Sequence, residues 1–460
     1  MLISSQPFKR TLLLSATLLS LAVPFSVNAH DHDDSDKEPE KPKQIILVIA
    51  DGMGHPFVSA YRYFKDGRNH TMAADVEQTI FDRYLVGSAS TYPADDTLVT
   101  DSAASATALA TGVKTYNGAI SVDADGNPIP TIMHKARDLG WQTAAIATTR
   151  VTHATPASFF THVPSRRMED EIADQFAVVD DNGLPMFDLL LGSGRKHFVL
   201  EDENGNRVSH LRTLNNRGVR VVESYEQLQT QQRLPLLGLF HDDAFPFVID
   251  DQKRLELMAR EGLRLLGNSE KPFVLMIEAS MVDWCGHAND IACAMHEMAE
   301  LDDLMLFLEE YAEGRDDTQI ILTADHSTGG LTLGADGDYK FRAGDIHNVG
   351  RSLRVMATEL NDMPAVDWDA YIDEYLPFTL TTEHQTALTD VAASTSERRR
   401  AEIQAILIDI VRFHTGAGWT TGGHTGEDVP VIAIGPWSEN FKGAQDHIDI
   451  ATQLIDWVQN

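Results

Sequence analysis

"QIILVIADGMG", residues Gln44–Gly54, is the stretch that decides the fold: a continuous apolar run ends in a carboxylate and two glycines. A strand that is apolar on both faces is typical of a parallel sheet covered by helices. Helical patterns, such as 252–266 and 289–314, alternate with four further runs of this kind: Thr143–Thr149, Phe273–Ala279, Thr318–Ala324 and Pro430–Gly435. This alternation predicts an α/β fold with a large, mostly parallel central sheet and helices on both faces.

The N-terminal segment predicts export. Residues 1–29 carry two basic residues, then an apolar stretch, then small residues up to Ala29, which is the pattern of a cleaved signal peptide. An uncleaved anchor is the alternative, but the stretch is short for a membrane span and contains Pro24. Residues 30–43 are polar and acidic and predict a disordered tether, and residues 44–460 form the remaining large domain. We therefore expect a periplasmic or extracellular protein that does not contact a membrane after cleavage.

The composition narrows the classes of partner. The chain has 69 acidic and 37 basic residues and a net charge of −32, which falls to −34 when residues 1–29 are removed. Such a surface argues against nucleic acid as a specific partner, because nucleic-acid binding depends on basic residues that meet phosphates. The two cysteines, Cys285 and Cys293, are too few for a disulfide scaffold.

The alternation of strands and helices is interrupted between about residues 336 and 418. This region predicts an insertion over the sheet. Within it, "STSE" (Ser394–Glu397) has the pattern of a capping box and predicts the start of a helix.

Polar residues follow the predicted strands at the point where each strand ends. Asp51 comes directly after the first strand, Glu278 lies near the end of the third, and Asp325 and His326 follow the fourth. Ligand sites in open α/β sheets lie beyond the carboxyl ends of the strands. We therefore expect these side chains to lie together at one edge of the sheet.

Further ligand types lie nearby. Asp283 and His287 are four residues apart and share a face if that segment is helical, and His424 follows two glycines just before the last strand. Carboxylates with imidazoles suit zinc, and carboxylates with a hydroxyl suit magnesium. One aspartate after a strand is commonly a helix cap, and one histidine is commonly structural. Their convergence on one edge favours metal binding, because so many carboxylates stay ionised together only with cations.

"TLVTDSAASATALATG" (Thr97–Gly112) predicts a helix that begins near Ser102. Its positive end suits an anion, and a base or metal that lowers the pKa of the Ser102 hydroxyl would make it a nucleophile. The alternative is that Asp101 and Ser102 only cap an alanine-rich helix; Ser105 lies a turn further in and is the weaker candidate. No histidine stands at a triad-like position relative to Ser102, so we expect its activation to depend on metal.

Seven motifs, in this order, resemble those of the alkaline phosphatase family and span the chain from about Lys43 to its end. They are "DGMG" (51–54), "TDSAASATALATG" (100–112), "THATPASFF" (152–160), "HVPSRR" (162–167), "EASMVDWCGH" (278–287), "TADHSTGG" (323–330) and "WTTGGHTGEDVP" (419–430). The resemblance implies that residues 44–460 are an alkaline phosphatase catalytic domain that hydrolyses small phosphate monoesters. It also implies a homodimer.

The resemblance implies two zinc ions and one magnesium ion. The ligands that it assigns are Asp283, His287 and His424 for the first zinc, Asp51, Asp325 and His326 for the second, and Asp51, Thr155 and Glu278 for magnesium. Ser102 becomes the nucleophile that forms a phosphoserine, and Arg166 binds two phosphoryl oxygens with its planar fork. Asp101 orients that arginine, whereas Arg167 is expected at the surface.

Two positions depart from the best-known bacterial pattern, which has aspartate and lysine where this chain has His153 and Trp284. A neutral imidazole is a poorer partner than a carboxylate for the water shell of magnesium, and an indole adds no attraction for phosphate. We therefore expect weaker magnesium binding and easier release of product.

Three other functions are compatible with parts of this sequence. A phosphodiesterase of the same superfamily is the runner-up, and it is disfavoured because diesterases often have threonine as the nucleophile. A non-catalytic exported metal- or phosphate-binding protein stays open. A sulfatase is disfavoured because Ser102 is not followed by the x-Pro-x-Arg pattern.

Cys285 and Cys293 would be about 12 Å apart in one helix, but Gly286 and Asn289 indicate a loop between them, so we predict a disulfide.

Overall fold

The computed structural model describes residues 41–69, 75–180, 183–201 and 207–460. The predicted signal peptide and residues 30–40 of the predicted tether lie outside the described residues. Among the helices within those ranges, not one has both the length and the apolar character needed to cross a membrane.

Ten strands form one sheet, and its layout explains where the polar residues meet. The strands of the described residues are β1 (Gln44–Ala50), β2 (Leu85–Ser90), β3 (Gln142–Arg150), β4 (Leu189–Ser193), β5 (Val199–Glu201), β6 (Arg207–Ser209), β7 (Arg220–Val222), β8 (Leu236–Leu239), β9 (Phe273–Ala279), β10 (Thr318–Thr323), β11 (Ser327–Thr328), β12 (Thr332–Leu333), β13 (Ala417–Gly418), β14 (His424–Thr425), β15 (Val429–Ile434) and β16 (Gly443–Asp446). The large sheet has the order β16-β2-β15-β10-β1-β9-β3-β4-β8-β7. All its neighbours pair in parallel except β15, which is antiparallel to both β10 and β2. The predicted mostly parallel α/β sheet is confirmed.

Helices cover the sheet from two sides. The α-helices are α1 (His55–Asp66), α2 (Ile80–Arg83), α3 (Ser102–Thr111), α4 (Ile132–Asp138), α5 (Ala154–Phe160), α6 (Glu169–Phe176), α7 (His210–Asn216), α8 (Tyr225–Gln229), α9 (Leu255–Leu266), α10 (Met281–His287), α11 (Ile291–Ala312), α12 (Ala343–Ile346), α13 (Leu353–Asp362), α14 (Trp368–Tyr375), α15 (Thr382–Ala392), α16 (Arg399–Thr415) and α17 (His447–Gln459). Helices α1 and α9 pack on α11, whereas α5 and α17 pack on α3. β1 is buried from Ile45 to Ala50, in the middle of this sandwich.

Helix α9 begins three residues later than its sequence pattern predicts. The backbone N–H groups of Arg254 and Leu255 donate to the Glu300 carboxylate, which belongs to α11. A distant side chain therefore supplies the cap, and the local sequence carries no signal for it.

Helix α3 is buried on every side: all ten of its residues, Ser102–Thr111, are buried. Small side chains let α5 and α17 approach it, and its hydroxyls bond to nearby backbone. Thr107 Oγ1 donates to the Ala119 carbonyl at 3.1 Å, and Ser105 Oγ donates to the Asp325 carbonyl at 2.7 Å. This burial explains why small polar residues fill an alanine-rich helix.

The region expected as an insertion contains five α-helices, α12–α16, between β12 and β13. These two short strands pair with each other, so the chain leaves and returns at neighbouring points. The predicted helix start at Ser394–Glu397 was wrong, because α16 begins at Arg399. Ser396 instead makes local turn contacts: its hydroxyl accepts from the Arg398 N–H and donates to Glu402.

Candidate active site

The sheet topology brings residues from distant segments to one edge. Asp51 follows β1, Glu278 lies near the end of β9, and Asp325 follows β10, so all three stand at carboxyl ends of parallel strands. His424 precedes β15, and it reaches the same edge because β15 runs antiparallel to its neighbours. β14, which contains His424, also pairs with β11 next to His326.

Three groups of potential metal-binding side chains lie at this edge. Within each group, the potential ligand atoms lie within 4.8 Å of one another. The groups are Asp283, His287 and His424; Asp51, Asp325 and His326; and Asp51, His153 and Glu278. The first two contain the same residues as the two sets assigned from the resemblance, and the third adds His153, which the sequence analysis placed only beside the magnesium site.

In the first group, two imidazoles face each other across Asp283. His287 Nδ1 lies 2.7 Å from the Gly422 carbonyl, and His424 Nδ1 lies 2.9 Å from the Thr100 carbonyl. A carbonyl accepts only, so each Nδ1 donates and each Nε2 carries a lone pair. These two Nε2 atoms are 3.2 Å apart and lie 3.4 and 3.7 Å from the carboxylate of Asp283. Such a cluster of acceptors suits a cation, and the carbonyls orient the imidazoles as they do around bound metals.

In the second group, His326 lies between the two aspartates and the serine. Its Nε2 is 3.2 Å from Ser102 Oγ, 3.2 Å from Asp325 Oδ2 and 3.5 Å from Asp51 Oδ1. The sequence shows no histidine at a triad-like position relative to Ser102, and the tertiary structure brings His326 to this hydroxyl. Local sequence does not predict this contact, because His326 is 224 residues from Ser102 and its position depends on where β10 ends in the sheet.

In the third group, buried oxygens lack partners. Neither oxygen of Asp51 or of Glu278, nor the hydroxyl of Thr155, has a hydrogen-bonding partner among the described residues, and all three residues are 0% exposed. Buried oxygens of this kind are costly unless something positive binds them. Three carboxylate or hydroxyl side chains with oxygen ligands suit a hard cation such as magnesium.

The pKa shifts of these buried side chains also favour bound cations. Burial raises the pKa of Asp51 well above its usual value, and Asp325 raises it further. Burial likewise raises the pKa of Asp325 and of Glu278, each with a contribution from a neighbouring carboxylate. Burial also lowers the pKa of His326 well below its usual value, which keeps this imidazole neutral and able to bind a metal. Cations at this edge would let the carboxylates ionise.

Ser102 is the first residue of α3, and it is 1% exposed. The first backbone N–H groups of a helix have no partner within the helix, and its N-terminus carries partial positive charge. The Ser102 side chain thus lies where an anion is favoured. Ser105, one turn further in, is bonded to the Asp325 carbonyl and lies 3.0 Å from His447 Nδ1, which is a structural arrangement.

Arg166 is held close to Ser102 by Asp101. The guanidinium donates to Asp101 Oδ2 at 3.0 Å, while Asp101 Oδ1 accepts from the N–H groups of Ala104 and Gly118. The other end of the guanidinium lies 3.1 Å from His153 Nε2. Arg166 thereby has a fixed orientation beside the start of α3. The adjacent Arg167 is exposed, as expected.

Three further residues support the site and were missed in the sequence analysis. Thr328 Oγ1 donates to Asp283 and contacts His326 Nδ1, so it links the first two groups. Gly52 has φ +78°, and a Cβ there would lie 2.6 Å from the Cα of Asp283. The Asn117 side chain accepts from the Asp101 N–H at 2.7 Å. Thr328 and Gly52 lie inside quoted motifs, but their contacts depend on the tertiary structure.

The predicted disulfide is present. Cys285 and Cys293 are bonded, with a Cα–Cα distance of 5.5 Å. Asn289 has φ +52°, and Asp290 caps α11 by accepting from the Cys293 N–H. This turn separates α10 from α11 and brings the sulfurs together. The bridge ties down α10, which carries Asp283 and His287.

We predict that replacing both cysteines by serine lowers the free energy of unfolding by about 2–3 kcal/mol, as expected for a short bridged loop. The variant should also lose metal to a chelator faster, because α10 is less constrained. Thermal unfolding and metal release measured beside the parent protein check this. Two free thiols in the unfolded, unreduced parent protein would contradict the bridge.

The comparisons with known proteins give the class of protein: a phosphatase, which is a hydrolase. The chain belongs to the alkaline phosphatase family, whose model matches residues 42–459. It is 36% identical to alkaline phosphatase 3 of Bacillus subtilis over 461 residues, which covers 98% of each protein. It is 30% identical to the repressible alkaline phosphatase of Saccharomyces cerevisiae, over 97% of this chain and 85% of the yeast protein.

Solved structures agree with this assignment. The cold-active alkaline phosphatase of the psychrophile Shewanella sp. superposes with a TM-score of 0.81 and 38% identity, over 91% of this chain and all of that one. The Thermus thermophilus alkaline phosphatase has the same fold, with a TM-score of 0.75 and 23% identity over 94% and 95% of the two chains.

Proposed function

We propose that this chain is an exported phosphomonoesterase that works through a phosphoserine at Ser102. The observation that carries this proposal is the position of Ser102 Oγ, at the N-terminus of α3 and 3.2 Å from His326 Nε2, with Arg166 fixed beside it by Asp101. A nucleophile, an anion-binding helix end and a guanidinium fork are the parts that phosphoryl transfer needs.

The residues present fit the three metals that the resemblance implies. The acceptor cluster of Asp283, His287 and His424 fits zinc, as does that of Asp51, Asp325 and His326. Asp51, Glu278 and Thr155, with their unpartnered buried oxygens, fit magnesium. When bound, these ions would lower the pKa of the Ser102 hydroxyl and neutralise charge on the entering and leaving oxygens.

The chain's own residues then divide the reaction into two displacements. Arg166 and the first N–H groups of α3 bind the phosphoryl oxygens and orient phosphorus toward Ser102. The Ser102 hydroxyl loses its proton and its oxygen bonds to phosphorus as the bond to the alcohol oxygen breaks, and the departing alkoxide takes up one proton. Water then loses a proton as its oxygen bonds to phosphorus, the bond from Ser102 to phosphorus breaks, the Ser102 oxygen is protonated again, and phosphate is released. Two inversions give net retention at phosphorus.

A panel of chromogenic esters separates this proposal from its alternatives. We expect the metal-loaded protein to hydrolyse 4-nitrophenyl phosphate far faster than bis(4-nitrophenyl) phosphate or 4-nitrophenyl sulfate. Faster hydrolysis of the diester would favour a phosphodiesterase, and faster hydrolysis of the sulfate a sulfatase. Metal and phosphate binding without any turnover would identify a binding protein.

We predict that His153→Asp lowers the magnesium concentration needed for full activity by about tenfold, since a carboxylate holds magnesium or its water better than a neutral imidazole. His153 lies in the same group as Asp51 and Glu278, and burial lowers its pKa, which keeps it neutral. Activity measured against magnesium concentration tests this prediction, with His153→Asn as the uncharged control. An equal requirement in the Asp and Asn variants would contradict it.

We predict that Trp284→Lys tightens inhibition by inorganic phosphate about fivefold, because it adds a positive charge near the phosphate site. The Trp284 ring lies 6.2 Å from that of His153, which contacts Arg166. The inhibition constant for phosphate is the measurement, and Trp284→Gln is the neutral control. Equal tightening in both variants would show that loss of the indole matters and the added charge does not.

Export and assembly are parts of the same proposal. We propose that residues 1–29 are removed during export to the periplasm or the medium, and that the mature protein forms a homodimer and binds neither nucleic acid nor membrane. N-terminal sequencing of exported protein tests the cleavage site after Ala29. The mass of the purified protein in solution tests the dimer.

A further inference from the structure

A groove lies between the loop after β8 and the helices of the predicted insertion. Its volume is about 510 Å³, which is the size of a site for a small molecule. Six of its lining residues are Phe245, Phe247, Trp284, Arg354, Val355 and Arg400. α13 and α16 supply the last three of these residues, so the groove exists only because the insertion packs beside the core of the fold.

Trp284 connects this groove to the candidate active site. It follows Asp283 on α10, and its ring meets that of His153 edge to face, with centroids 6.2 Å apart. His153 Nε2 in turn lies 3.1 Å from the Arg166 guanidinium. Trp284 therefore lines the groove and also contacts the side chain next to Arg166. Trp284 is thus the residue shared by the groove lining and the surroundings of Arg166.

Two of the three acidic residues that line the groove are paired with basic side chains. Of its acidic lining residues, Asp243 is paired with Arg150 and Lys196, each at 3.1 Å, and Glu359 bonds to Arg351 and Tyr371. A third, Asp250, has one oxygen that accepts from the Ser352 N–H at 3.0 Å and one buried oxygen with no partner among the described residues.

The two basic lining residues have no such partners. Arg354 and Arg400 are exposed, and within the described parts of the chain neither side chain has a hydrogen bond or ion pair. In a protein with a net charge of −32, two free guanidinium groups beside an indole form a site for a planar, negatively charged group.

We propose that this groove binds the leaving group of the substrate and selects phosphate monoesters whose alcohol carries both an aromatic ring and a second anionic group. The ring would lie against Trp284, and the second phosphate or carboxylate would meet Arg354 and Arg400. This inference rests on the proposed phosphomonoesterase function and adds a substrate class to it. It also gives the insertion a role in specificity.

The test compares three substrates of the holoenzyme: adenosine 3′,5′-bisphosphate, which has a ring and a second phosphate; adenosine 5′-monophosphate, which has the ring alone; and glycerol 2-phosphate, which has neither. In the double variant Arg354→Ala/Arg400→Ala, we expect kcat/KM for the bisphosphate to fall about fivefold to tenfold, through KM. The values for the other two substrates should stay within about twofold, because neither has a second anion. Arg354→Lys/Arg400→Lys should retain most of the preference, and Arg217→Ala, an exposed arginine outside the groove, should change nothing.

Equal effects on all three substrates, or no effect on any, would overturn the groove proposal while leaving the phosphatase intact. Affinity for adenosine 3′,5′-bisphosphate, measured by calorimetry on metal-loaded Ser102→Ala protein, supplies a readout that needs no turnover. Loss of affinity on removing the two arginines would support the groove even if the proposed reaction failed, and unchanged affinity would contradict it.

Discussion

Ser102→Ala is expected to lower kcat for phosphate monoesters by about 10³-fold or more and to leave the protein folded. The hydroxyl lies at the N-terminus of a fully buried helix, and alanine fits this helix because several of its residues are already alanine. The loss therefore reports the missing nucleophile and not a packing defect. Acid quenching after incubation with radiolabelled phosphate, followed by peptide mapping, should find phosphoserine in the parent protein and none in the variant.

Ser105→Ala is the matched control for this prediction. It removes a hydroxyl from the same helix, but that hydroxyl bonds to the Asp325 carbonyl. We expect this variant to form the same phosphoserine as the parent, with a lower melting temperature because a buried hydrogen bond is lost. Phosphoserine trapped in Ser102→Ala would show that another hydroxyl is the nucleophile.

Removal of metal is expected to abolish activity, and zinc plus magnesium should restore it. His326 is the side chain that could otherwise activate Ser102, since its Nε2 lies 3.2 Å from Ser102 Oγ. However, that same nitrogen also faces the carboxylates of Asp325 and Asp51, which is the arrangement of a metal ligand. Activity measured after dialysis against a chelator, and again after each metal is added back alone, tests the dependence. Full activity in metal-free protein would mean that His326 serves as a general base and would overturn the metal mechanism.

Metal removal should also change how stability depends on pH. In the metal-free protein, burial raises the pKa of Asp325 to about 7 and that of Glu278 to about 8, above their values of about 4 in the unfolded chain. A raised pKa in the folded state favours the protonated form, so its stabilising effect is lost as pH rises from about 4 to about 8. We expect the melting temperature of the metal-free protein to fall across this range and that of the metal-loaded protein to change little. Equal pH dependence of the two forms would show that cations do not balance these carboxylates.

Local sequence located much of the site because several ligands occupy strand ends. Asp51 and Asp325 follow apolar runs that fold as β1 and β10, and neighbouring parallel strands must end on the same edge. The spacing of Asp283 and His287 placed both on α10. The turn predicted between Cys285 and Cys293 is present at Asn289, whereas Gly286, which was also expected in a loop, lies inside α10.

Other features of the site depend on contacts between distant segments. The start of α9 is set by Glu300 of another helix, and the start predicted at Ser394 was wrong for α16. The third ligand group includes His153, although the resemblance placed this residue only beside the magnesium site. The contact of His326 with Ser102 joins residues 224 positions apart.

The sequence by itself determined the sheet, the order of the motifs and the family. Strands buried on both faces appear as short apolar runs, and the potential ligands follow these runs directly. Only the tertiary structure decided that β15 runs antiparallel, and this reversal is what brings His424 from before a strand to the same edge as residues that follow strands. Tertiary structure likewise decided that residues of α13 and α16 line a groove together with Trp284. The direction of a strand and the packing of helices depend on contacts among many residues from distant segments. A local pattern of polarity or spacing contains no information about those contacts.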